Sequence, residues 1–187
     1  MTVLMKLHLS LRTCGLAGLL LALSGPALAD CSDVAQPEVY WRRCMLDGQD
    51  LSNANLAGAN LRDASFTRTD LSEADLSGAD ARGANFVSAT MRDTMLDEAE
   101  LVRADLTNAN LNGASLRSAD LTMTKLFRTD LRGADLTGAR LDGADFLKAE
   151  LGGATWIDGT TICSESSVGQ CQPGSRQREV SDTEPSG

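Results

Sequence analysis

The chain has 187 residues, 26 acidic and 17 basic side chains, a net charge of −9, five cysteines and one histidine. An acidic balance of this size argues against nucleic-acid binding and against docking on anionic lipid, both of which need concentrated positive charge.

The first 29 residues read as an export signal. Lys6 and Arg12 supply a positive start, and "CGLAGLLLAL" (14–23) is a ten-residue apolar run. Pro26 breaks any helix, and "ALA" (27–29) places small residues where a signal peptidase cuts. A membrane anchor needs about twenty apolar residues, and a lipid anchor needs a small residue before Cys31, where Asp30 stands. The pattern predicts cleavage after Ala29 and an exported chain, periplasmic or secreted, with no membrane insertion afterwards. Cleavage removes two positive charges and no acidic ones, taking the net from −9 to −11. It also removes His8, and with it histidine triads, histidine metal sites and the usual neutral-pH general base. Cys14 leaves too. Cys31, Cys44, Cys163 and Cys171 remain, which in an exported protein suggests two disulfides with three possible connectivities.

From Leu51 to Leu151 every fifth residue is Leu, Phe or Met, with Ala81 the single exception. Two residues before each centre, from Ala54 to Ala154, stands only Ala or Thr. A helix cannot use this spacing, because five steps of about 100° smear the apolar stripe around the cylinder. A flat strand fails as well, since an odd repeat sends successive leucines to opposite faces. A short extended segment followed by a turn in each pentad restores the phase, and a chain turning the same way each time must coil. Four turns per circuit would take twenty residues. The three central phenylalanines, Phe66, Phe86 and Phe146, are spaced by twenty and by sixty, as stacking in such a coil requires.

The units "ADLSG", "ANLNG" and "ADLTG" resemble the pentapeptide-repeat family, whose pattern is A-(D/N)-L-x-x. The resemblance spans about residues 45–156 and implies an all-β fold, a right-handed quadrilateral β-helix of about five and a half coils. The central Leu or Phe and the preceding Ala would pack inside. Thr69, Thr94, Thr124 and Thr129 depart from Ala, and Ala81 departs from Leu. In a narrow interior filled at near-crystal density, Ala81 would make room for the Phe66 and Phe86 rings.

Coils stacked about 4.8 Å apart make a rod roughly 25 Å long, whose ends expose unpaired backbone and need caps. Tyr40 and Trp41 fall at the first coil, Trp156 and Ile157 at the last. The organisation expected is a signal peptide at 1–29, an N-terminal cap at 30–45, the β-helix at 46–156, a C-terminal cap at 157–171 and a disordered tail at 172–187. On such a rod Cys44 and Cys163 lie at opposite ends, far beyond the roughly 7 Å a disulfide allows between α-carbons. Local pairs Cys31–Cys44 and Cys163–Cys171 would then tie each cap down.

Outward residues twenty apart become neighbours. One column reads Asn60, Asp80, Glu100, Asp120, Arg140. Its three carboxylates suit a divalent cation, and their spacing resembles the carboxylate pair of a retaining glycosidase. A convex rod offers no cleft to desolvate them, and Arg62, Arg82 and Arg103 stand close enough in sequence to neutralise them. Some members of the family are cytoplasmic rods that mimic DNA and protect topoisomerases. The export signal and the interrupting arginines weigh against that role here. Beside the phenylalanine column run Thr67, Val87, Thr107, Phe127, Leu147 and then Arg68, Ser88, Asn108, Arg128, Lys148. Arg68, Val87, Phe127, Arg128, Leu147 and Lys148 form the expected interaction patch, apolar and positive on an acidic rod. The expectation is a non-enzymatic structural or interaction module without a cofactor, its partner a protein or a second copy.

Overall fold

The structure, a computed structural model, describes residues 31–174, so the expected export signal at 1–29 and all but the first three residues of the expected tail at 172–187 lie outside the described residues. Within them the chain winds as a β-helical solenoid. A parallel bridge ladder runs from Tyr40↔Asn60 to Asp135↔Thr155, and every parallel bridge joins residues twenty apart. The ladder therefore already includes residues 40 and 45, upstream of the first regular pentads.

Each pentad repeats one local solution. Among the described residues, bridging is confined within the repeats to one residue per pentad, because a turn follows at once. In the unit centred on Leu51, the Ala54 N–H donates to the Leu51 carbonyl at 3.1 Å, and Asn53 takes φ +57°. That geometry needs a left-handed residue at the third turn position. A side chain there costs about 1–2 kcal/mol, yet Arg43, Arg68, Arg103, Arg128 and Lys148 all occupy it. Ladder bonds offset the strain where a next coil exists. Arg43 N–H donates to the Arg62 carbonyl at 2.9 Å, and Arg103 N–H to that of Thr122 at 3.0 Å.

Four columns of centres face inward, and they name the four faces. The Leu61 face holds Trp41, Leu61, Ala81, Leu101, Leu121 and Leu141; the Phe66 face follows, then the Leu71 and Leu76 faces. Centres from Leu56 to Leu136 are buried, together with the small residues two before them from Ala59 to Ala139. Phe66 and Phe86 stack with centroids 5.1 Å apart and planes 8° from parallel. Ala81 is fully buried in the same core. The four threonines that replace alanine are buried and satisfied. Thr69, Thr94, Thr124 and Thr129 donate their hydroxyls to the carbonyls of Leu46, Leu71, Leu101 and Leu106 at 2.7–2.8 Å. A hydroxyl is tolerated there because a turn carbonyl of the preceding coil lies within reach.

The ends differ. At the start Val39 and Trp41 are buried, and the Cys31–Cys44 disulfide, with α-carbons 5.4 Å apart, ties down the segment before them. At the far end the chain reverses. Antiparallel bridges Glu150↔Val168, Thr155↔Ile162 and Cys163↔Pro173 lay residues 162–173 back over the last coil. The reversal runs through Asp158 and Gly159. Gly159 has φ +71°, and a Cβ there would meet Thr137 Cγ2 at 2.9 Å. The Cys163–Cys171 disulfide closes this cap, with α-carbons 5.0 Å apart. Both disulfides are the local pairs expected. Trp156 is half-buried and tilted against Phe146 at 5.9 Å, whereas Ile157, expected to help close the end, is 40% exposed. Ile157 follows the core centre, where the turn carries a side chain outward.

Candidate interaction surface

Much of the rod's acidity has a structural cause. The Asp or Asn before each centre bridges to the next coil and also accepts a hydrogen bond from the backbone N–H two residues on. Asp50 accepts from Ser52 at 3.0 Å, Asp70 from Ser72 at 3.0 Å, Asn85 from Val87 at 3.0 Å and Asp130 from Arg132 at 3.1 Å. This is an Asx turn, in which a short side chain supplies the acceptor that a bend lacks. The carboxylates line the corners because the corners need them.

In the acidic column Asp80 and Asp120 follow this rule, accepting from the Arg82 and Thr122 N–H groups. Asp80, Glu100 and Asp120 do stack, through the bridges Asp80↔Glu100 and Glu100↔Asp120. Arg82 grips both oxygens of Asp80 at 2.8 and 2.7 Å and reaches Glu100 at 2.9 Å; Arg62 approaches Asp80 at 3.4 Å and Arg140 meets Asp120 at 3.1 Å. Arg103 makes no ion pair with the column among the described residues, so Arg140 takes the part expected of it. Arg103 occupies the third turn position, one residue further along the turn than Arg62 and Arg82. Partial burial pushes the Asp80 carboxyl up, but hydrogen bonds and charge from Arg82, with Arg62 adding, outweigh it and hold the group below the ordinary range. A carboxyl held low cannot serve as a general acid near neutrality. Among the described residues no three His, Cys, Asp or Glu side chains converge as a metal ion would require.

The expected patch on the Phe66 face comes together at one end only. Arg128 N–H donates to the Leu147 carbonyl at 3.1 Å, so the coils of Phe127 and Leu147 are adjacent. The Arg128 guanidinium lies 5.2 Å from the Phe127 ring centroid, and the Lys148 ammonium lies 5.7 Å from it. Leu147 is 60% exposed beside them. Each contact is a cation–π attraction, worth about 0.5–1 kcal/mol at an exposed site. Arg68 and Val87 belong to a separate piece. Arg68 N–H bonds the Val87 carbonyl at 3.0 Å, but the Thr107–Asn108 coil stands between them and Phe127.

A second basic group stands apart from this patch. Arg42, Arg62 and Arg82 recur at intervals of twenty on the Leu61 face, with Arg103 one coil further on. Together with Asp63, Gly83 and Val102 they line a shallow hollow of about 360 Å³. Writing the sequence in rows of twenty exposes this ladder; the pentad pattern does not.

A family model described as pentapeptide repeats matches residues 50–86, 84–122 and 124–155. Among solved structures, HetL, a pentapeptide repeat protein involved in heterocyst differentiation regulation from the cyanobacterium Nostoc sp. strain PCC 7120, is 34% identical. That match covers 68% of this chain and has a TM-score of 0.42; the chain spans 60% of HetL's length. Rfr23 from the cyanobacterium Cyanothece 51142 is 30% identical over 56% of this chain and 82% of its own, with a TM-score of 0.44. A pentapeptide repeat protein of the Arabidopsis thaliana thylakoid lumen is 24% identical over 72% of this chain and 90% of its own, with a TM-score of 0.42. No curated protein matches the chain.

Proposed function

The chain belongs to the pentapeptide-repeat family, and from that premise we propose that it is a non-enzymatic, exported module, periplasmic or secreted, that docks a protein partner or a second copy. The reading takes the mature chain as a right-handed quadrilateral β-helix of about five and a half coils between two disulfide-tied caps, released by cleavage of residues 1–29. Residues 30–45 serve as one cap, 46–156 as the repeat body and 157–171 as the other cap, to which Gln172 and Pro173, expected in the tail, add through the Cys163↔Pro173 bridge. Four cysteines joined in two local disulfides suit an oxidising compartment.

One observation carries the docking role. Phe127 presents its ring between Arg128 and Lys148, next to an exposed Leu147. Aromatic and arginine side chains set together on a flat surface match the makeup of interface hot spots. The rest of the rod is dominated by short polar corners already bonded to their own backbone.

The test is a double change, Phe127→Asp with Arg128→Glu, read by in-cell crosslinking and by native mass. Both side chains lie outside the core, so Tm should fall only by the few degrees that losing the two cation–π contacts implies, while crosslinked partners and any dimer are lost. If the variant keeps every partner and the wild-type mass, this surface is not the docking site.

A further inference from the structure

We propose that the hollow on the Leu61 face is a second binding site, one that takes a short polyanion presenting two or more phosphate or carboxylate groups along the rod axis. Four arginines and one aspartate line it, a local formal charge of +3 (four minus one) on a chain of net charge −9. Arg42, Arg62 and Arg82 stand on successive coils, held about 4.8 Å apart by the ladder. That spacing imposes repulsion between like charges, which the protein relieves unevenly. Arg82 is engaged by Asp80 and Glu100, and Arg62 approaches Asp80 at 3.4 Å through its Nε. Arg42 and Arg103, at the two ends of the hollow, have no carboxylate within 4 Å among the described residues. Asp63, the one carboxylate in the lining, pairs outward with Arg43 at 3.7 Å.

The hollow therefore holds two guanidinium groups without a carboxylate partner among the described residues and a third only loosely paired, spread along one line. Guanidinium forks bind planar oxyanions in pairs of parallel hydrogen bonds, which a lysine at the same place would not provide. From the Arg42 coil to the Arg103 coil is three steps, roughly 14 Å at the inter-strand spacing, so a ligand with several acidic groups can satisfy both ends. The acidic remainder of the rod repels a long polyanion. The site selects a short one.

The experiment titrates the oxidised mature chain by calorimetry with two probes, inorganic tripolyphosphate and a tetraglutamate peptide. It is run at about 50 mM and about 300 mM salt, because exposed charge pairs weaken across that range. The proposal expects saturable one-to-one binding of at least one probe that weakens with salt. Arg42→Gln with Arg103→Gln should lower its affinity at least about tenfold with Tm unchanged, since neither side chain pairs with another. Arg128→Gln with Lys148→Gln removes the same charge elsewhere and should leave the affinity alone. Binding of tripolyphosphate only marks the ligand as phosphorylated, and binding of tetraglutamate only marks it as a carboxylate chain. Failure of both probes to saturate overturns the site, and so does an equal loss in the two double variants, which would reduce the effect to net charge. Neither result bears on docking at Phe127.

Discussion

The middle coils and the two ends of this rod obey different rules. A middle coil is covered above and below by copies of itself, so a five-residue rule suffices: small residue, Asx corner, bulky centre, two turn residues. An end has a neighbour on one side only, and repetition cannot close it. The first coil is closed by a large plug, with Trp41 buried in a column that elsewhere holds Leu and Ala. The last is closed by breaking the direction of the chain, with antiparallel bridges replacing parallel ones after Thr155. Where the period holds, each place in the pentad fixes a residue type; where it stops, single residues decide how the end is closed. The largest effect should therefore come from the plug. Trp41→Ala should cost about 3–5 kcal/mol, measured by denaturant unfolding, and Trp156→Ala clearly less, because Trp156 is only half-buried. The Trp41 indole N–H has no hydrogen-bond partner among the described residues, so Trp41→Phe should cost far less than Trp41→Ala. Equal losses for the two alanine variants would erase the distinction between plug and fold-back.

The disulfides sharpen the contrast. Removing either pair, as Cys31→Ser with Cys44→Ser or Cys163→Ser with Cys171→Ser, should cost about 2–4 kcal/mol. Only the second should also cause association, because loosening the fold-back exposes a sheet edge. Native mass with unfolding curves checks both points, and a C-terminal double mutant that stays monomeric contradicts the role given to that cap. In the middle, Ala81→Leu tests whether the interior is full. Beside the stacked Phe66 and Phe86 rings it should lower stability by about 1–3 kcal/mol, and a rise in Tm would show that Ala81 is a gap.

The same contrast explains what was readable in advance. The repeat, the twenty-residue coil, the phenylalanine column and the stacking of Asp80, Glu100 and Asp120 follow from periodicity, which the sequence displays without interruption. The local disulfides follow once Cys44 and Cys163 are placed at opposite ends. The fold-back was not legible. After Trp156 the period ends, and "IDGTTIC" carries a turn signal but nothing that sets the direction of the next pairing. The patch was half legible, because stacking order places Phe127 beside Leu147 while charge alone had joined Arg68 to them across an intervening coil. The arginine ladder at 42, 62 and 82 was present in the sequence but hidden by a five-residue frame, since turn positions have no fixed residue type.

The smallest effect belongs to the turn that starts the fold-back. Asp158 accepts the Thr160 and Thr161 N–H groups at 2.9 and 2.7 Å and the Thr161 hydroxyl at 2.6 Å. The Thr161 hydroxyl, then the two N–H groups, lower its pKa from 3.8 to about 2. A carboxyl whose folded value is depressed adds stability that is present above its unfolded value and lost as pH falls through the folded one. The turn should therefore hold above about pH 4 and loosen between about 4 and 2. Trp156 reports on it, since its N–H bonds the Thr161 carbonyl at 2.8 Å across the turn. With Trp41→Phe in the background, Trp156 fluorescence should change over that acid window in the otherwise native chain. Adding Asp158→Asn should flatten the change, because the amide keeps an acceptor but has no proton to gain there. The other corner aspartates are the same in both proteins, so the difference between the curves isolates Asp158. Superimposable curves would mean that the fold-back is held by its disulfide and ladder alone, and that this end, like the middle of the rod, does not depend on any one corner.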